Sequence, residues 1–193
     1  MVFLLSIALA FLGQDESAPG LVASYRDANS SVRAVVPTPN FTLRADESVH
    51  PAISAQFEAE WSGTLSVLET GDYAFECSCE VELAGRSARG ASVRLVPGKH
   101  PVRIVFRRAP GPARVELSWR SDKFPLEPVP AVRFEHRKAD GPGPQELRVE
   151  RGRGLVEQLG CANCHASAAP ALARPRAPHL TGIGSRARES WLL

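Results

Sequence analysis

Lysine and methionine are nearly absent from this 193-residue chain: Lys stands only at 99, 123 and 138, and Met only at position 1. The basic complement is therefore almost wholly arginine. With 23 Lys and Arg against 21 Asp and Glu, the net charge of +2 provides no broad cationic surface of the kind that attracts nucleic acid or an anionic bilayer. No nucleic-acid partner is expected. Long hydrophobic runs are missing too, since none reaches the roughly 20 apolar residues that cross a bilayer as a helix, so no membrane span is expected. What is present, 44% hydrophobic residues with 15 Gly and 16 Pro, describes a folded chain of one or two domains with many turns.

Residues 1–12 are apolar except for Ser6, and the polar stretch 13–20 follows abruptly. That outline is a secretory signal ahead of an exported chain, with residues 1–19 as the signal peptide; the other reading is a buried first strand. Periplasm or cell surface is the expected location.

From Phe57 the odd positions, Ala59, Trp61, Gly63, Leu65 and Val67, are apolar or small, and Glu58, Glu60, Ser62, Thr64 and Ser66 between them are polar. Period two over that length predicts a strand with one buried face. After the turn residues 69–72 the alternation resumes through Tyr73, Phe75, Cys77, Cys79, Val81 and Leu83. Further strands are predicted around Val93, Ile104 and Val115. Short strands with turns about every ten residues predict an antiparallel β-sandwich or barrel over residues 20–136. Cys77 and Cys79 share a face and are expected as buried thiols, because a bridge between i and i+2 in an extended strand has poor geometry. His50 and His100, each beside a proline, are expected to face solvent.

Gly20-Leu21 with Tyr25, then FEAEWSGTLSVLETGDYAFE, LVPGKHPVRIVF and ARVELSW, in that order, resemble the protective-antigen-type domain of adhesins, glycosidases and toxins. The resemblance implies a β-barrel, and in many members carbohydrate binding through calcium held by paired aspartates after the G-D-Y-x-F strand. Here that loop reads Glu76, Cys77, Ser78, Cys79, Glu80, without the aspartate pair, and calcium wants six to eight oxygen ligands. Calcium is not expected. A carbohydrate or cell-surface component remains a candidate partner.

Residues 137–149 are polar or turn-forming and read as a linker. Beyond them Leu147, Leu155, Val156 and Leu159 predict a short helix ending near Gly160, followed by Cys161, Ala162, Asn163, Cys164 and His165. C-x-x-C-H is the attachment signal for c-type haem: the thiols reach two vinyl groups and the next histidine brings its imidazole to the iron. A redox dithiol and a zinc site are the competing readings.

Residues 150–193 resemble the first part of a class I cytochrome c, cut short at Leu193. The resemblance implies haem c on Cys161 and Cys164, iron on His165, a Pro178 carbonyl orienting that histidine, and Leu180 packing on the porphyrin. No distal methionine is available. The expectation from sequence is thus an exported, mainly β protein whose small α-helical partial cytochrome domain passes electrons to a redox partner protein. It is expected to bind and carry rather than to act as an enzyme. The alternative is a carbohydrate-binding protein whose β domain is the active part.

Overall fold

The computed structural model describes residues 16–161. They are mainly β, with antiparallel sheets and a single α-helix. The alternation in the sequence is realised in β5 (Glu58–Val67), where Ala59, Trp61, Leu65 and Val67 are buried and the polar residues between them face outward. Along its whole length β5 pairs with β10 (Gly98–Arg107), from Val67 opposite Gly98 to Glu58 opposite Arg107. Its other edge is shared. β2 (Leu21–Arg26) covers the first half and β14 (Phe134–Arg137) the second.

Around this pair an eight-stranded sheet is completed by β1 (Ser17–Pro19) on β14, β3 (Ser31–Val36) on β2, β7 (Glu80–Leu83) on β10 and β8 (Arg86–Ser87) on β7. A second, four-stranded sheet has the order β13 (Phe124–Pro128), β12 (Ser118–Ser121), β6 (Gly71–Glu76), β9 (Ser92–Leu95). A two-stranded ribbon joins β4 (Asn40–Leu43) to β11 (Ala113–Glu116). Trp61, Leu65, Ile104 and Phe134 from the large sheet meet Tyr73, Phe75 and Trp119 from the small one in one hydrophobic core. This is a β-sandwich.

Gly63 interrupts the alternation of β5 for a steric reason. A Cβ there would lie 2.4 Å from the Glu135 carbonyl oxygen and 2.8 Å from Leu21 Cδ2, so only glycine lets β14 and β2 meet over this strand.

Three expectations are corrected. Cys77 and Cys79 are bridged, with Cα atoms 5.0 Å apart. They can bridge because the chain leaves β6 at Glu76 and enters β7 at Glu80, so the cysteines occupy a bend and not the extended strand expected. His50 is buried, only 7% exposed, because a helix far along the chain covers it. That helix, α1 (Pro144–Gln158), opens inside the segment read as linker. Pro144 fits the first turn, where its missing N–H costs nothing, and the Gly143 N–H donates to Glu146 Oε2 at 2.6 Å. None of its residues is buried, and Leu147 and Leu155 are each about half exposed. No helix among the described residues is long and apolar enough to cross a membrane.

Candidate functional site

Of the residues that sequence singles out for chemistry, Cys161 alone is described, as a half-buried free thiol just past the end of α1. Cys164, His165, Pro178 and Leu180 lie outside the described residues, as do residues 1–15 of the signal segment expected over 1–19; the end of that segment, Ser17–Pro19, is strand β1, paired with β14.

The residues that converge elsewhere are on the outer face of the small sheet. In β6 the side chains of Tyr73 and Phe75 point into the core, so Asp72, Ala74 and Glu76 point out. Register then sets the surface: Ala74 lies between Arg120 on β12 and Ser92 on β9, Glu76 lies opposite Ser118, and Asp72 opposite Arg94. The short Ala74 side chain leaves a dip among longer neighbours. Gly90 and Ala91 wall one side, and Ser121 and Asp122 the other, enclosing a groove of about 410 Å³. A Cβ at Gly71, beside Asp72, would come within 3.1 Å of Asp122 Oδ1. Beneath the strand, Tyr73 and Phe75 stack against Trp119, with ring centroids 5.6 and 6.4 Å apart, so the floor is rigid.

The charges of this groove differ from those on the outer face of the large sheet. On that face, Arg103 bonds Glu60 at 2.8 Å and Glu82 at 3.5 Å, and Arg107 bonds Glu58 and Glu80, each at 2.9 Å. Each of these two guanidiniums is shared between two carboxylates. In the groove only Asp72 is paired, with Arg94 at 3.2 Å; Glu76, Arg120 and Asp122 form no ion pair among the described residues. Two carboxylates and a guanidinium thus converge on one dip without satisfying each other. Sequence reasoning missed them because, strand by strand, they are ordinary outward-facing polar residues.

Comparison with known proteins gives the fold. No family model matches the chain, and no curated protein does. Among solved structures, an anti-sigma factor domain-containing protein from Clostridium clariflavum is 17% identical with a TM-score of 0.55, over 61% of this chain and 47% of that one. A second anti-sigma factor domain-containing protein is also 17% identical, with a TM-score of 0.56, over 66% of this chain and 50% of that one. The transport component C2-II of the C2-toxin from Clostridium botulinum is 18% identical, with a TM-score of 0.51, over 66% of this chain and 29% of that one. The chain spans half the length or less of these structures.

The β fold expected from the sequence is therefore matched. The cytochrome and haem expectation is corrected. No likeness supports a cytochrome domain, and no group of three or more His, Cys, Asp and Glu among the described residues could hold a metal ion. The redox partner expected with it loses its support.

Proposed function

We propose that this is an exported protein whose β domain binds carbohydrate, without turnover, in the groove over Ala74. The observation that carries the reading is the set Glu76, Arg120 and Asp122 around that dip, none of them in an ion pair among the described residues. A carboxylate accepts from two neighbouring sugar hydroxyls at once, and a guanidinium donates a parallel pair to hydroxyl or ring oxygens. The small side chains of Ala74 at the floor and Ala91 in the wall admit the C–H face of a pyranose, and the stacked aromatics below hold the donors and acceptors in place before the ligand arrives. Export is supported by the Cys77–Cys79 bridge, which belongs to an oxidising compartment.

The test is a printed array of defined oligosaccharides probed with the full chain and with Arg120→Ala and Glu76→Gln. The reading expects binding that persists in a chelator and weakens about tenfold in either variant, the loss of one charged hydrogen bond. An array on which the folded protein binds no glycan overturns it.

A further inference from the structure

The unbroken alternation from Tyr73 to Leu83 would suit one continuous strand, yet the chain changes sheets within it. Phe75 and Glu76 pair with Trp119 and Ser118 in the small sheet, while Glu80 and Val81 pair with Val105 and Ile104 in the large one. The crossing occupies residues 77–79, and its two ends are joined by the Cys77–Cys79 bridge. In an extended strand, Cα atoms two residues apart are separated by about 6.6 Å; here they are 5.0 Å apart. The bridge holds the bend that lets one chain serve both sheets.

Two further contacts fix this corner. Cys79 is sunk in the core, 2% exposed, and the Ser78 hydroxyl donates to the Arg114 carbonyl at 2.7 Å. Closing so short a loop removes little freedom from the unfolded chain, so the effect of the bridge is local. Its nearest functional neighbour is Glu76, the residue before Cys77 and a wall of the groove.

We infer that the Cys77–Cys79 bridge is a redox-responsive clip: oxidised, it fixes the corner and Glu76, and its reduction by a dithiol loosens the corner and weakens the groove. Cys77 is the partly exposed sulfur and the point of attack. A thiolate of the dithiol forms a mixed disulfide with Cys77, and Cys79 leaves and takes up a proton. The second thiol of the reagent then closes onto the first, releasing Cys77 as a thiol. The bridge gains two electrons and two protons, and the dithiol ends as a cyclic disulfide. The consequence for ligand binding rests on the carbohydrate reading above; the consequence for the corner does not.

The experiment is hydrogen exchange on the full folded chain, oxidised and after dithiothreitol, with alkylation and peptide mass to establish the state of Cys77 and Cys79. The expected result is exchange about tenfold faster or more at residues 74–80 on reduction, with β5 and β10 unchanged. Cys77→Ser with Cys79→Ser should reproduce that pattern, and where a glycan is known from the array the reduced protein should bind it more weakly. A bridge that dithiothreitol cannot open in the folded protein, or exchange unchanged after opening, overturns the clip. Absence of any glycan ligand alongside faster exchange would instead sink only the carbohydrate reading.

Discussion

The His50 ring nitrogen Nε2 lies 3.2 Å from both carboxylate oxygens of Glu150, joining a buried residue of the sandwich to the middle of α1. The Ala52 N–H donates to Nδ1 at 3.1 Å, so the neutral ring carries its proton on Nε2 and donates it to Glu150. Arg153 holds the same carboxylate at 2.8 Å. Burial opposes the charge on Glu150, and Arg153 with His50 outweighs that, so its carboxyl titrates below the usual range.

Glu150→Ala should therefore release α1 without unfolding the sandwich. We expect a local loss of about 1–2 kcal/mol, read as faster hydrogen exchange over 144–158 with the β5 and β10 amides unaltered. A depressed folded value means the stabilisation is present above the ordinary glutamate range and is lost as pH falls through the folded value. Wild-type α1 should accordingly loosen in acid, and the variant should already be loose at neutral pH.

Gly63→Ala tests the crowding around β5. With Glu135 O and Leu21 Cδ2 at 2.4 and 2.8 Å from the new methyl group, one neighbour being backbone, the strands must separate. Urea unfolding should show a loss of about 3 kcal/mol. A change under 0.5 kcal/mol would mean that β14 does not lie over this position.

Much of this fold was legible because a half-buried strand writes its period into the sequence. Ala59, Trp61, Leu65 and Val67 fall on the buried face as the alternation requires. The change of sheet at 77–79 was not legible, because both sheets bury the same side of the chain and the inward residues continue through the bend. The proline beside His50 suggests an exposed ring, whereas its cover comes from Glu150, a hundred positions later. Pro144 and Gly143 suggested a linker although they suit a helix start. The groove was illegible for a different reason: whether Glu76 and Arg120 have partners depends on register between strands, which no local pattern records. The C-x-x-C-H segment is the strongest chemical signal in the sequence, and apart from Cys161 it lies outside the described residues, as do Pro178 and Leu180.

Arg108 should prove a structural keystone although it is charged. Its guanidinium is buried, donates to the carbonyls of Arg44, Glu47 and Gly111, and lies 5.6 Å from the centre of the Phe57 ring. It ties two loops to the edge of the core. Arg108→Ala strands those carbonyls and should cost roughly 3 kcal/mol in urea unfolding. Arg108→Lys should recover less than half, since one ammonium cannot span the same carbonyls.

Asp27 makes the acid sensitivity of the β2–β3 turn testable. One carboxylate oxygen accepts from the backbone N–H groups of Asn29 and Ser30, at 2.8 and 2.7 Å, and the other from Ser54 at 2.6 Å. The Ser54 and Asn29 bonds lead in holding its pKa down to about 2, against an ordinary 3.8. Because the folded value is the lower one, protonation favours the unfolded chain. The stabilisation is complete above the ordinary value and disappears as pH falls toward about 2. Asp27→Asn keeps the shape and lacks the charge, so its melting temperature should lie below that of wild type at pH 6, and the gap should shrink steadily from pH 4 to pH 2. A gap that stays constant across that interval would show that these bonds do not depend on the ionised carboxylate, and that the turn is held by backbone geometry alone.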